Sequence, residues 1–306
     1  MILYILTILL LLLIAPLLTG LIKSIKMFLF YKRPVSIFQP YANLNKLLTK
    51  ELVISHESSA ITHLAPWMIL SPLLVTLLFL PPIFQGAYYI GFVDAFTIIG
   101  LLSLSTFFLM LLGLDGGNAF GGMGSSREAF IASLVEPAMV LTIFSVGLIA
   151  KNLGVGNAAL NLSTHFPVEH AASFLFAGLS FFILLLAENG RLPIDNPETH
   201  LELTMVHEAM ILDISGLYLA IIEMASSLKF VIFSSLFVTL FIPYGLNLIA
   251  PLALLVFVGK LILVSMVVAL IEVNGAKLRL FKVPNLLGIA IVFAFLSLIT
   301  FYLLGV

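Results

Sequence analysis

Eight long apolar stretches limit the folds open to this chain more than any other feature of its sequence. We predict them over residues 2–22, 66–84, 93–113, 127–150, 168–188, 217–242, 249–272 and 284–304. Each is about 20 residues long, which as a helix matches the hydrocarbon thickness of a bilayer. Because 61% of the residues are hydrophobic and only 9% are charged, we predict an all-α integral membrane protein with one polytopic domain over 1–306.

The composition also excludes several classes of function. The net charge of −1 gives no basis for binding nucleic acid. The absence of cysteine removes thiolate zinc sites and the usual ligands of iron–sulfur clusters. Residues 2–22 lack the basic start and the cleavage site of a signal peptide, so they are predicted to be the first span.

The basic residues are distributed unevenly between the two sides of the predicted bundle. The loop at 23–65 and the connections on its side carry eleven of them, whereas the opposite side carries only Lys151. Because basic loops remain in the cytoplasm, the N-terminus is predicted outside and the loop 23–65 inside. The loop contains leucines at helical spacing over 44–52, which predicts either a short interfacial helix or a basic loop.

An acidic segment at 189–216 lies between predicted spans five and six, on the cytoplasmic side. With the residue before it, it holds six of the fifteen acidic side chains: Glu188, Asp195, Glu198, Glu202, Glu208 and Asp213. Asn196, Pro197 and Glu198 are typical of a helix start. That helix would place Glu198 and Glu202 on one side and His200 and His207 on another, so we expect it to lie between protein surfaces.

A glycine-rich connector at 113–126 precedes the fourth span. It lacks the Gly-Lys-Ser/Thr ending of a phosphate-binding loop, so we expect flexibility and close backbone approach there. Ser125 and Glu128 are spaced as a capping box that would begin the fourth span.

Ionisable residues inside predicted spans indicate proton handling, because charge in a membrane is costly and is retained for function. Lys229 lies roughly 18 Å into its span, which requires a buried partner or water. Glu136 lies about two turns inside the fourth span, before Pro137. The proton-path candidates are Glu128, Glu136, Glu188, Asp195, Glu198, Glu202, Glu208, Asp213, Glu223, Lys229 and Lys260.

Other interpretations of these residues remain open. Glu128 also fits a helix cap, and Glu188 with Arg191 fits an ion pair at the end of a span. The zinc-protease pattern fails because Ile211 stands where the second histidine belongs. No histidine lies at the membrane depth that haem needs, and a metal site at Asp195, Glu198 and His200 is disfavoured.

Three motifs resemble the membrane subunit shared by respiratory complex I (its subunit 1) and group 4 membrane-bound [NiFe] hydrogenases. The most specific motif runs from Glu188 to Met210. The second consists of 121–128 and 135–137, and the weakest of 38–43 and 46–51. The resemblance is closer to the hydrogenase branch of the formate hydrogenlyase subunit 4 and hydrogenase-4 component C type. Asn43 departs from the family, which commonly has Asp at that position.

The resemblance implies a non-catalytic, proton-translocating subunit of the prokaryotic cytoplasmic membrane. Its partners would be peripheral hydrogenase-like or dehydrogenase-like subunits and antiporter-like membrane subunits. The peripheral partners would carry iron–sulfur clusters and, in a hydrogenase, a NiFe centre, while this chain would bind no cofactor. Charge partners or docking residues would be Arg33, Arg127, Arg191, His200 and His207. The alternatives are a quinone-site subunit of an NADH dehydrogenase-like complex and, less favoured, a stand-alone ion transporter.

Overall fold

A computed structural model describes residues 2–30, 32–55, 57–80, 94–164, 168–195, 205–245 and 248–304. Its helices are α1 (Ile2–Leu29), α2 (Gln39–Thr49), α3 (Ala60–Phe79), α4 (Ala95–Asp115), α5 (Ala119–Ala150), α6 (Val155–Thr164), α7 (Ala171–Glu188), α8 (His207–Met210), α9 (Gly216–Phe241), α10 (Ala250–Asn274) and α11 (Val283–Leu304). Single 3-10 turns precede α7 and α11.

Eight helices in the described part of the chain are long and apolar enough to cross a membrane. They correspond one to one with the predicted spans, so the predicted fold class is confirmed. The ends differ by several residues, most clearly in the fourth span, where α5 begins at Ala119 rather than at 127.

The glycine-rich stretch is mostly helical, so the prediction of a flexible connector over 113–126 is wrong from Ala119 onwards. Asn118 caps α5 instead of the predicted capping box, because its side-chain oxygen accepts from the backbone of Phe120 at 3.1 Å. Ser125 lies inside the helix and donates to the carbonyl oxygens of Met110 and Gly121. The predicted close approach is present, since a Cβ on Gly121 would lie 2.3 Å from the carbonyl oxygen of Gly113.

Helix α9 forms the centre of the bundle. Within its apolar part 78% of the residues are buried, a larger share than in any other candidate span. It packs against α1, α2, α3, α7 and α10, and Phe230 and Phe233 are among the largest fully enclosed side chains. A charged side chain buried on this helix therefore needs a partner close to it.

Helices α1, α4, α7 and α10 end, and α3, α5, α9 and α11 begin, at one end of the bundle, which we call the charged end. The helix predicted at 44–52 is confirmed but begins earlier, as α2. Tyr41 of α2 donates to the carbonyl oxygen of Leu13. The segment after α2 is fixed to the start of α9, because Ser215 Oγ accepts from the Val53 amide at 2.8 Å.

Candidate functional site: a charge cluster at the end of the bundle

The loop that follows α7 brings the charged groups together. Gly190 has φ +55°, a left-handed conformation that ends the helix, and the Arg191 amide donates back to the Leu186 carbonyl at 2.9 Å. Gly190 also lies against His207, since a Cβ at this position would come within 2.8 Å of Nδ1 of the imidazole. Glycine thus satisfies both the turn and the close approach.

An ion pair lies deepest in the cluster. Lys229 Nζ of α9 is 2.7 Å from Glu188 Oε2 and donates to Thr106 Oγ1 at 2.9 Å. Both charged side chains are nearly enclosed, with exposures of 10% and 7%. Glu188 is the buried partner that the depth of Lys229 requires. Glu188 therefore pairs with Lys229 and not with Arg191, the partner considered from the sequence.

His207 lies between two carboxylates. Its Nε2 is 3.4 Å from Glu128 Oε1, and its Nδ1 is 3.8 Å from Asp195 Oδ2. Glu128 is only 2% exposed, and its second oxygen accepts no hydrogen bond from the described residues. A single imidazole therefore bridges α5 and the loop after α7.

Asp195 contacts the backbone at the start of α8 as well as the side chain of His207. Its Oδ2 accepts from the backbone amides of Val206 and His207, both at 3.3 Å, while Oδ1 receives Lys277 Nζ at 2.6 Å. Burial by itself would raise the pKa of this carboxyl. The hydrogen bonds and charges of His207 and Lys277 outweigh burial and hold the pKa of Asp195 well below its usual range.

The pKa of His207 moves in the opposite direction from that of Asp195. Burial would lower the pKa of the imidazole, but the negative charges of Glu128 and Asp195 outweigh both burial and the charge of Lys229. The pKa of His207 is therefore raised above its ordinary value. This shift favours the imidazolium form between its two carboxylates.

A second group of charges lies at the end of α10. Glu272 Oε2 is 2.9 Å from Lys26 Nζ of α1, and Glu272 Oε1 is 3.3 Å from a guanidinium nitrogen of Arg191. The Glu272 side chain is fully enclosed, and Arg191 also covers the ring of Phe230 at 5.1 Å. One carboxylate thus joins α1, α10 and the loop after α7.

Two cavities meet at His207. The larger, of about 310 Å³, lies between α1, α2, α9 and α10, and its lining includes Arg191, Glu208, Glu223 and Glu272. The smaller, of about 40 Å³, is lined by Thr106, Glu188 and Lys229 among others. Because His207 and Asn189 line both cavities, the imidazole is a polar link between the outer and the inner space.

The structure therefore brings together many of the residues that the sequence proposed. The cluster contains Glu128, Glu188, Asp195, His207 and Lys229, while Arg191, Glu208 and Glu223 line the larger cavity. Arg127 lies beside them and donates to the carbonyl oxygen of Met205 at 2.9 Å. The interpretation of Glu128 as a cap is wrong, because the helix begins nine residues earlier.

Other predicted residues lie elsewhere. Glu136 is half-buried on the surface of α5, and Asp213 is exposed and accepts from Asn118 at 3.4 Å. Lys260 donates to the carbonyl oxygens of Ile242 and Tyr244, beyond the far end of α9 and about 20 Å from Lys229 at the helical rise. Arg33 is exposed between α1 and α2.

Three predicted residues cannot be placed: Glu198, His200 and Glu202 lie outside the described residues, as does the helix predicted to start at Asn196. Among the residues described, no group of three or more histidine, aspartate or glutamate side chains is arranged to hold a metal ion.

Sequence reasoning missed three residues of the site: Lys26, Glu272 and Lys277. Lys26 and Lys277 are among the eleven basic residues that predict the orientation, and both pair with carboxylates. Glu272 stands alone between the apolar residues Ile271 and Val273 near the end of a span. A lone carboxylate at such a position was the available signal.

Comparison with known proteins gives consistent matches over the length of the chain. The sequence model of the NADH dehydrogenase family matches residues 2–303. Hydrogenase-4 component C of Escherichia coli (strain K12) is 34% identical over 77% of this chain and 73% of its own length. Formate hydrogenlyase subunit 4 of the same strain is 29% identical over 94% of both chains.

More distant matches include NADH-quinone oxidoreductase subunit 8 of Rhodothermus marinus, which is 26% identical over 73% of this chain and 66% of its own length. Among solved structures, a chain of the membrane-bound sulfane sulfur reductase, an archaeal respiratory membrane complex, superimposes with a TM-score of 0.84. That match covers 97% of this chain and 98% of the other at 16% identity, which shows a shared fold.

Proposed function

Because the chain belongs to the NADH dehydrogenase family, the complex I subunit 1 family, we propose that it is the proton-translocating coupling subunit of such an assembly. Membership already makes it a membrane subunit of a complex related to hydrogenases and NADH-quinone oxidoreductases. The proposal adds that it links peripheral redox subunits to antiporter-like membrane subunits and that its own charge cluster carries the protons.

The bridging position of His207 supports this proposal most directly. The imidazole touches the larger cavity at the charged end, faces Glu128 within the bundle, and lines the inner cavity beside Glu188 and Lys229. Structural ion pairs alone do not need a titratable group at the junction of two cavities. A side chain that changes charge near neutral pH is suited to pass protons there.

The chemistry is a set of proton transfers between neighbouring groups. An imidazolium at His207 can release the proton on Nε2 to Glu128 Oε1, which leaves a neutral imidazole and a carboxylic acid. The cavity of about 40 Å³ is large enough for a water molecule between His207 and the Glu188–Lys229 pair. A change in charge at the loop after α7 would shift these equilibria, which is how distant electron transfer would act on them.

The partners follow from the same proposal. The charged end, with its basic loop and exposed Arg33, would face the cytoplasm and receive the peripheral subunits. Those subunits would carry the iron–sulfur clusters and, in a hydrogenase, a NiFe centre, because this chain has no cysteine. The antiporter-like subunits would contact the apolar helix surfaces within the bilayer.

Purification of the tagged chain in mild detergent tests the assembly. We expect iron–sulfur subunits to co-purify; nickel in them identifies a hydrogenase, and iron–sulfur subunits without nickel identify a dehydrogenase-type complex. A folded chain that purifies without partners contradicts the proposal.

Reconstitution into vesicles with a pH-sensitive dye tests proton movement. The wild-type assembly should acidify one compartment during turnover, and Glu128→Gln should abolish this while the subunits still assemble. Glu169→Gln is the matched control, because Glu169 is exposed at the start of the α7 segment and far from the cluster. Sodium dependence, measured in the same vesicles, shows whether the coupled ion is Na⁺ rather than H⁺.

A quinone-site subunit is the second candidate function, and the larger cavity favours it. A volume of about 310 Å³ reaches the lower limit of small-molecule sites, and the lining combines apolar and charged residues. Quinone-dependent turnover of the purified assembly, inhibited by compounds that compete with quinone, would support this candidate. Turnover that needs no quinone would exclude it.

A further inference from the structure

The residues around the end of α10 hold the loop after α7 at three successive points. Glu272 binds Arg191 at 3.3 Å, the Leu278 amide donates to the Pro193 carbonyl oxygen at 2.8 Å, and Lys277 binds Asp195 at 2.6 Å. The two ion pairs have opposite polarity, since α10 contributes the acid to one and the segment after it contributes the base to the other. This pattern fixes both the position and the register of the loop.

The third of these contacts, between Lys277 and Asp195, controls the geometry at His207. Because Lys277 occupies Oδ1 of Asp195, the other oxygen is left to face the α8 amides and the imidazole. Asp195 Oδ2 then lies on the Nδ1 side of the ring, and Glu128 lies on the Nε2 side. A carboxylate on the Nδ1 side favours a proton on Nδ1 and directs the exchangeable proton to Nε2.

We infer that Glu272 and Lys277 are positioning residues for His207, which set the orientation of Asp195 and the share of its charge that the imidazole feels. Glu272 binds Arg191 and Lys277 binds Asp195, so both residues act on His207 through the loop after α7. The inference rests on the proposed function, because it assigns the control of the same proton-carrying group. It also explains why a fully enclosed carboxylate near the end of a span faces two cations.

Among the described residues, charged groups surround His207 from several segments. They include Glu128 of α5, Glu188 of α7, Arg191 and Asp195 of the following loop, Glu208 of α8, Lys229 of α9, and Lys277 after α10, while Lys23, Lys26, Glu223 and Glu272 line the same larger cavity. Removing Lys277 takes away a cation that Asp195 binds, so more of the charge of Asp195 acts on the imidazole. The pKa of His207 should therefore rise in Lys277→Met.

The double variant Asp195→Asn with Lys277→Met should shift the pKa of His207 in the opposite direction. It removes the anion together with its cation, so the imidazolium loses a stabilising partner and the pKa of His207 should fall below the wild-type value. A merely structural role for Lys277 does not produce shifts in opposite directions. Lys277→Arg keeps the charge and should restore the wild-type titration.

The experiment titrates His207 directly in the purified assembly, with isotope-labelled histidine and magnetic resonance of the ring nitrogens. The signal of His207 is identified as the one lost in His207→Asn. Lys282→Met is the matched control, because Lys282 is exposed a few residues away and should leave the titration unchanged.

An unshifted titration in either Lys277→Met or the double variant overturns the inference. If Lys277→Met does not assemble, the double variant still decides, because it leaves no unpaired charge at this position. Failure of the proposed function has a different signature: the wild-type assembly would move no protons in vesicles, whatever the titration of His207 shows.

Discussion

Glu188 at the end of α7 and Lys229 in the middle of α9 face each other at 2.7 Å, each almost completely enclosed by the bundle. The pair joins α9, the most deeply buried of the candidate spans, to the last residue of α7, directly before the loop that carries Asp195. Removing one partner from a buried ion pair leaves an uncompensated charge, which costs about 3–5 kcal/mol.

Lys229→Met should therefore reduce the yield of assembled complex and abolish proton movement. Glu188→Gln with Lys229→Met removes both charges and should recover assembly without recovering proton movement. Thermal unfolding in detergent measures the first effect and dye-reporting vesicles the second. Lys151→Met is the control on the other end of the bundle, where Lys151 is exposed after α5, and it should leave proton movement intact. Recovery of proton movement in the double variant would contradict a role for the pair.

Gly124 of α5 should be sensitive to the smallest possible substitution. A Cβ at this position would lie 2.8 Å from the Val206 carbonyl oxygen and 3.0 Å from the Cβ of Ala209, so Gly124→Ala forces α8 away from α5. Overpacking of this kind costs about 1–3 kcal/mol. We expect a lower melting temperature and faster proteolysis near α8, whereas Gly122→Ala on the same helix meets no atom within 4 Å and should be neutral. Equal effects of the two substitutions would mean that α8 does not pack as described.

The sequence predicted the number and approximate position of the spans because hydropathy over about 20 residues is a strong local signal. It also predicted a buried partner for Lys229, since depth along a helix follows from residue spacing. It did not predict which groups pair, because Lys26, Arg191 and Glu272 come from segments far apart in the chain. Pairing depends on how helices pack, and no local pattern encodes that.

The glycine-rich stretch shows a second limit of the sequence. Glycines favour turns in the absence of other information, yet here Gly121 and Gly124 lie inside a helix and let the segments around Gly113 and Val206 approach closely. A glycine in a helix costs conformational entropy on folding, and here it permits close packing in return. Only the tertiary contacts show whether a glycine forms a turn or a close contact.

The raised pKa of His207 predicts how the stability of the protein depends on pH. Because its pKa is raised in the folded state, the stabilisation from its charge is complete below the unfolded pKa of about 6.5 and is lost as pH rises through the folded value. The pKa of Asp195 is depressed, so its contribution is present above about 3.9 and is lost only at lower pH. Thermal unfolding between about pH 5.5 and 9 should show the loss of the histidine contribution, because the contribution of Asp195 is constant over this range.

His207→Asn should flatten that pH dependence, because the amide does not titrate. His63→Asn is the control, since His63 lies near the surface and pairs with the Tyr218 hydroxyl at 3.0 Å. A variant without His207 that keeps the wild-type pH dependence would show that another group causes it.

Substitution of Glu136 tests where the proposed proton path leaves this chain. It lies eight residues beyond Glu128 on α5, about 12 Å along the helix, and is half-buried beside the exposed Pro137. Among the described residues it makes no hydrogen bond or ion pair, so its partner is expected on a neighbouring subunit. Glu136→Gln should therefore abolish proton movement and leave the assembly intact, whereas Ser133→Ala, an exposed position one turn earlier, should change neither. Unchanged pumping in Glu136→Gln would confine the path to the cluster around His207 and remove α5 as its exit.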